Sequence, residues 1–198
     1  MTEYSATPGL RRVVLTVALL NLGYFVVEFV SGLAIGSVSL FADSIDFLED
    51  TSVNLLILLA LGWPPKARAR IGMLLALVLL VPSLAALWAI WQKFNAPVAP
   101  AAAPLSLVGF GALIVNLGCA YLLARFRRER GSLTKAAFLS ARNDAFANIA
   151  IIAAGFATAA TVSHWPDLVV GIGIAVMNAT AAKEVWEAAQ QEHGAENS

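Results

Sequence analysis

Long apolar stretches separated by short polar segments dominate the chain. Six stretches reach the length of about 20 mostly apolar residues that a membrane-spanning helix needs. Their apolar runs are continuous and lack the alternation that is typical of strands in a membrane barrel. We therefore predict six helical spans, at residues 13–36, 39–62, 71–91, 105–124, 136–161 and 165–186.

Composition favours the same class. Hydrophobic residues make up 59% of the 198 residues and charged residues 13%, against roughly 45–50% and 25% in soluble proteins. So few charges could not cover the surface of a water-soluble domain. The predicted fold is an all-α integral membrane protein with a short N-terminal segment (1–12), a transmembrane domain (13–186) and a short polar tail (187–198) without a soluble domain.

Basic residues indicate the orientation. Of the thirteen lysines and arginines, eleven lie on one predicted side, whereas Lys93 lies on the other and Arg142 lies within span five. Positive charge concentrates on the cytoplasmic side of membrane proteins, so both termini are predicted to be cytoplasmic. The eleven residues are Arg11, Arg12, Lys66, Arg68, Arg70, Arg125, Arg127, Arg128, Arg130, Lys135 and Lys183.

Acidic residues occupy positions that a passive membrane anchor would avoid. A carboxylate near the bilayer centre costs several kcal/mol, so such residues normally face a bundle interior and serve a pathway or a site. A purely structural role would require protonation or pairing with Arg142, and one arginine cannot neutralise them all. Six lie at least four residues inside the ends of predicted spans: Glu28, Asp43, Asp46, Glu49, Asp50 and Asp144.

Four polar residues of span two share one helical face. Asp43, Asp46, Asp50 and Asn54 follow one another at intervals of three or four residues, which places them along a stripe. Glu49 points away from that stripe. Like charges at this spacing repel strongly where the dielectric constant is low, and either a divalent cation or bound protons would relieve the repulsion.

Span five offers further oxygen donors at a similar depth. Asp144 is flanked at four residues on either side by Ser140 and Asn148, with Asn143 beside it. At 1.5 Å per residue, Asp144 lies about 14 Å from the cytoplasmic face, and Asp46 and Asp50 lie about 10–17 Å from the outer face. In a hydrocarbon layer of about 30 Å, these donors can converge on one cation.

These segments resemble a known family. The run from Asn21 to Glu28, the Gly36-Ser37 pair and the Asp46-x-x-x-Asp50 motif are similar to the cation diffusion facilitators, six-helix exporters of divalent transition metals. The fifth helix of that family carries His-x-x-x-Asp, and its counterpart here runs from Ser140 to Asp144.

The resemblance implies a transport site and an architecture. It makes Asp46, Asp50 and Asp144 the metal ligands, with Ser140 in the fourth position, and Asn143 is an additional candidate ligand. Because Ser140 replaces histidine, the site has no imidazole. The family's cytoplasmic metal-binding domain is not expected here, so the chain looks like a branch lacking it, with a homodimer formed through the membrane helices.

The implied activity is export of a divalent metal in exchange for protons by alternating access, in the bacterial inner (plasma) membrane. Zinc is the first expectation, with cadmium, cobalt, iron and manganese open, because an oxygen-only donor set suits harder ions such as Mn²⁺. A proton-coupled exporter of small organic cations and a non-transporting membrane scaffold are the alternatives. Enzymatic activity, a cofactor and a nucleic-acid partner are not expected, since the sequence has no nucleophile–base pair, no cofactor loop and no excess of basic residues.

Other polar residues within the spans have less certain roles. Glu28 shares a helical face with Asn21 and Tyr24, and it either supports the aspartates or is a protonated structural acid. Asp43 is expected at the entry to the site or beside a ligand. Arg142 is predicted to form a buried pair with Glu49 or Glu28, with extension to the cytoplasmic face as the alternative.

Overall fold

A computed structural model of the protein describes residues 8–60, 84, 86–124 and 132–177. Within these ranges the chain is helical apart from short connections and contains no strand, which agrees with the all-α prediction. Most of the predicted third span, the end of the sixth and the tail at 187–198 lie outside the described residues. The helices are α1 (Pro8–Ile35), α2 (Val38–Ala60), α3 (86–95), α4 (Ala102–Ala124), α5 (Ser132–Thr161) and α6 (Trp165–Met177).

Three described helices are long and apolar enough to cross a membrane. They are Gly9–Ile35, Ala102–Ala124 and Ser140–Thr161, which match predicted spans one, four and five. Helix α2 is also long, with 23 residues, but it carries the acidic stripe. The described part of α6 is shorter. Six spans and cytoplasmic termini therefore remain predictions.

Four helices form a bundle whose polarity is inverted relative to that of a soluble protein. Helix α1 packs against α2 and α4, and α5 packs against α4 and α2. Large apolar side chains point outward, as in Leu107 (72% exposed) and Phe156 (68%), whereas Glu28 and Asn148 are fully buried. This arrangement suits a hydrocarbon solvent, in which exposed apolar side chains carry no penalty and polar groups must find partners inside.

A two-residue turn joins α1 to α2. Gly36 has a φ of +65°, a left-handed conformation that glycine adopts without strain and that commonly ends a helix. The backbone N–H of Ser37 donates to the carbonyl of Gly32 at 3.0 Å. The hydroxyl of Ser37 then accepts from the N–H of Leu40 at 3.2 Å, as an N-cap residue does. The connection is as short as the predicted spans require but lies one residue earlier, since α1 ends at Ile35 and α2 begins at Val38.

Helix α6 lies directly against the beginning of α2. A Cβ atom built on Gly171 would lie 2.6 Å from Cγ1 of Val38 and 2.8 Å from the backbone nitrogen of Ser39. Both separations are shorter than van der Waals contact allows, so this approach requires a glycine. Gly173, two residues further along and on another face of α6, has nothing within 4 Å of the equivalent position.

Candidate metal site

The acidic stripe of α2 faces the interior of the bundle. Asp43 is fully buried, Asp50 is 7% exposed and Asn54 is 1% exposed, while Asp46 is partly buried. The amide of Asn54 donates to the backbone carbonyl of Asp50 at 2.8 Å. Periodic spacing along one helix thus places these polar groups on its buried side.

Helix α5 meets this stripe through Ser140. The hydroxyl of Ser140 donates to Oδ1 of Asp50 at 2.9 Å, and the same side chain lies beside the carboxylate of Asp144. The carboxylate of Asp144 is in turn close enough to those of Asp50 and Asp46 for their negative charges to repel. Two helices therefore direct a hydroxyl and three carboxylates toward one region.

The region is not assembled into a finished coordination shell. Within the ranges 8–60, 86–124 and 132–177, no group of three or more His, Cys, Asp or Glu residues is arranged to hold a metal ion. Repulsion between unneutralised carboxylates opposes their closer approach. The described arrangement brings Ser140 and Asp50 into contact and leaves Asp46 and Asp144 as neighbouring carboxyl groups.

Asn143 and Arg142 lie outside this region. Both side chains are exposed, and the guanidinium of Arg142 donates to Oδ1 of Asn143 at 3.3 Å. The prediction that Arg142 forms a buried pair with Glu49 or Glu28 is therefore wrong. Residues one and two positions before Asp144 point about 100° and 200° away from it around a helix, so they project to another side of α5.

A second polar connection joins three helices around Asp43. The amide of Asn116 on α4 donates to Oδ1 of Asn148 on α5 at 2.9 Å. The amide of Asn148 donates to Oδ2 of Asp43 at 2.5 Å. All three side chains are buried, so the bonds replace the water that these groups lose on burial. Asn148, which lies four residues beyond Asp144 on α5, is thus a hydrogen-bond donor to Asp43.

Glu28 on α1 adds a further buried acid. It is fully buried, and among the residues that the structure describes neither of its carboxyl oxygens accepts a hydrogen bond, nor does Oδ1 of Asp43. The charges of Glu28 and Asp43 interact. A bound proton on one acid would supply the donor that these oxygens lack, because a carboxylate only accepts hydrogen bonds.

Sequence reasoning missed a buried acid at the end of the bundle where α2 begins. Asp167 on α6 is fully buried, and its carboxylate accepts hydrogen bonds from the beginning of α2. Oδ1 accepts from the hydroxyls of Ser37 and Ser39, both at 2.6 Å, and from the N–H of Ser39 at 3.1 Å. Oδ2 accepts from the N–H of Val38 at 2.9 Å. An acid suits this position because the first N–H groups of a helix carry partial positive charge.

Lys93 on α3 completes the contact. Its ammonium group donates to the carbonyl of Gly36 at 2.5 Å and lies 3.9 Å from Oδ2 of Asp167. Burial lowers the pKa of Lys93, and the charge of Asp167 opposes that shift. The signal was present in the sequence, since Lys93 lies two residues beyond the predicted end of span three and Asp167 two residues inside the predicted start of span six.

A family comparison places this bundle among known proteins. The model of the cation efflux transmembrane domain matches residues 14–191. The chain belongs to the cation efflux family. The resemblance drawn from the motifs of spans one, two and five is thereby confirmed, and so is the assignment of the chain to transmembrane cation transport proteins.

A relative within this cation efflux family carries a more specific name. The chain is 29% identical over 143 residues to the zinc transporter ZitB of Pectobacterium atrosepticum. The aligned segment covers 66% of this chain and 45% of the relative. The cation efflux chain described here thus spans less than half the length of that curated relative.

Proposed function

We propose that the protein exports a divalent transition metal, zinc first, from the cytoplasm in exchange for protons. The observation that carries this proposal is the contact between Ser140 of α5 and Asp50 of α2, with the carboxylates of Asp46 and Asp144 beside it. Uncompensated negative charge from two helices, inside a bundle of apolar exterior, is an environment that a divalent cation stabilises.

Asp46, Asp50, Asp144 and Ser140 are the proposed ligands. A bound cation would replace the repulsion between the carboxylates with attraction and draw α2 and α5 together. Ser140 is favoured over Asn143 for the fourth position because Ser140 already contacts Asp50, whereas Asn143 is exposed. The site would be a cargo site, so its ligands must also release the ion.

Proton exchange follows from the same ligands. Carboxylates bind a metal only when deprotonated, so protons and metal compete for them. Exposure of the site to a more acidic outer side would favour release, and exposure to the cytoplasm would favour loading. We propose that one group of helices rocks against the other to alternate this access, in an inner (plasma) membrane and as a homodimer formed through membrane helices.

The choice of zinc rests on the named relative and on coordination chemistry. Zinc binds carboxylate oxygens at about 2.0–2.2 Å and commonly takes four ligands, and the proposed set offers four. The absence of imidazole from this set lowers the advantage of zinc over Mn²⁺. Cadmium, cobalt, iron and manganese are therefore included in the test.

The decisive experiment measures zinc-driven proton counterflow in proteoliposomes that contain a pH-sensitive dye. We expect zinc entry to be accompanied by proton exit in the parent protein. Asp50→Asn and Asp144→Asn should abolish both fluxes. Glu49→Gln is the comparison variant, because it also removes a carboxylate from α2 and its charge acts on Asp46, Asp50 and Asp144 although Glu49 is not a proposed ligand, so transport should be retained.

Equal fluxes in the parent and the Asp50→Asn protein would disprove the proposal. A proton response to small organic cations but to none of the metals would instead favour the exporter of organic cations. A scaffold predicts no flux with either class of cargo and no effect of the three aspartate-to-asparagine substitutions other than on stability.

A further inference from the structure

The outer end of the bundle is joined by one cluster of polar groups from three helices and the turn between α1 and α2. We call Gly36, Ser37, Ser39, Lys93 and Asp167 the outer clasp, where the outer end is the end at which α2 begins. Asp167 accepts four hydrogen bonds from residues 37–39, and Lys93 bridges Asp167 to the carbonyl of Gly36. The turn between α1 and α2 is thereby tied to both α3 and α6.

Helices α3 and α6 also contact each other at this end. The rings of Phe94 and Trp165 meet edge to face, with their centroids 6.4 Å apart. Phe94 directly follows Lys93, and Trp165 lies two residues before Asp167. The outer clasp therefore joins the pair of helices α1 and α2 to the pair α3 and α6.

The two ionic members of the outer clasp hold α2 with different strength. Asp167 makes hydrogen bonds of 2.6–3.1 Å to two hydroxyls and two backbone N–H groups. Lys93 donates one hydrogen bond, to the carbonyl of Gly36, and lies 3.9 Å from the carboxylate. Its long flexible chain can carry the ammonium group to water. If Lys93 leaves, Asp167 keeps four donors, so α3 loses its hydrogen bond to the turn between α1 and α2 while α2 and α6 stay together.

We propose that Asp167 is a positioning residue that fixes the beginning of α2, and that Lys93 is a releasable latch that keeps the outer end closed over the acidic stripe. At 1.5 Å per residue, Asp43 begins the stripe about 7 Å below Val38. A fixed start of α2 thus sets the height of Asp46 and Asp50 against α5. Release of Lys93 opens a route from the outer side. The role of this route in metal release rests on the proposed function.

The test measures access to a buried position on α2, one residue past the beginning of the stripe. Ser44 is fully buried on α2, and Ser44→Cys is placed in a background carrying Cys119→Ala. A membrane-impermeant thiosulfonate reagent is added to either side of sealed vesicles, and the rate of labelling is measured for Lys93→Met, for Lys93→Arg and for the protein with Lys93 intact.

We expect Lys93→Met to speed labelling from the outer side about tenfold, the shift that loss of one charged hydrogen bond produces. Lys93→Arg keeps the charge and should stay near the intact protein. Labelling from the other side should not change, and the three unfolding temperatures should be similar. Equal outer labelling of all three proteins, or equal acceleration from both sides, would overturn the latch.

Asp167→Asn supplies an independent test of the positioning role. Adding Lys93→Met to Asp167→Asn should have less effect on outer labelling than it has alone, because the two residues act through one contact. Fully additive effects would overturn the link between them. If Asp167→Asn does not fold, the comparison of Lys93→Met with Lys93→Arg still decides the proposal.

Labelling requires no cargo, so this inference and the proposed function fail separately. Faster outer labelling of Lys93→Met in a protein that moves no metal would retain the outer clasp and reject metal export. Metal-driven proton flux with unchanged labelling would retain metal export and reject the outer clasp. If the protein transports zinc, Asp167→Asn should raise the KM for zinc, because the stripe is displaced. Lys93→Met should change the maximal rate more than the KM.

Discussion

The hydroxyl of Ser140 on α5 donates a 2.9 Å hydrogen bond to Oδ1 of Asp50 on α2. The two residues lie 90 positions apart in the sequence, and their contact brings the two acid-bearing helices together. Ser140 also lies beside Asp144. The small side chain of Ser140 therefore lies between the carboxylates of Asp50 and Asp144, which would otherwise face each other directly.

Removal of the Ser140 hydroxyl should weaken metal binding without abolishing transport. We expect Ser140→Ala to raise the KM for zinc about three- to tenfold, since one ligand or one hydrogen bond to a charged group is lost. Ser140→Thr retains the hydroxyl and is the control. Zinc uptake into proteoliposomes measures both, and identical KM values for Ser140→Ala and the parent would show that the hydroxyl does not contribute.

Introduction of an imidazole at the same position should change the preferred cargo. We expect Ser140→His to increase transport of zinc relative to manganese, because imidazole ligands favour zinc over harder ions. The measurement is the ratio of kcat/KM for the two metals, which cancels differences in the amount of active protein. An unchanged ratio would place position 140 outside the coordination shell.

Loss of the Asn148 amide should destabilise the bundle. Asn148→Ala removes the donor to Asp43 and the acceptor for Asn116, leaving buried polar atoms without partners at a cost of about 1–3 kcal/mol. Thermal unfolding in detergent should show a lower midpoint. Asn95→Ala is the matched control, since the Asn95 side chain is exposed and donates to a carbonyl within its own helix. Equal midpoints for the two variants would contradict the role of Asn148.

The close contact of α6 with α2 should be intolerant of one added methyl group. We expect Gly171→Ala to lower stability by about 1–3 kcal/mol, because overpacking forces side chains or backbone to shift. Gly173→Ala adds the same methyl group where nothing lies within 4 Å, and it should be neutral or slightly stabilising. The comparison uses thermal unfolding of both variants, and similar destabilisation of the two would argue against the described packing.

Periodicity predicted the features that lie along one helix. The spacing of Asp43, Asp46 and Asp50 was enough to place them on one buried face of α2, and the four-residue offset of Asn148 placed it on the side of α5 that meets α2. The positions of the Arg142 and Asn143 side chains were harder to predict, because their exposure depends on the rotation of α5 against its neighbours.

Contacts between distant helices could not be obtained in this way. Asp167 meets residues 37–39 across about 130 positions of sequence, and no spacing rule links segments so far apart. The same holds for Asn116 and Asn148. Such pairs are set by tertiary packing, which a helical pattern leaves undetermined.

The brevity of the Gly36–Ser37 connection limits how the protein can move. With two residues between them, the end of α1 and the beginning of α2 stay close together, so a shift of one helix along its axis is passed to the other. Glu28 lies on α1 and the aspartate stripe on α2, so such a shift moves both. The covalent connection transmits it even if every side-chain contact between the two helices were lost.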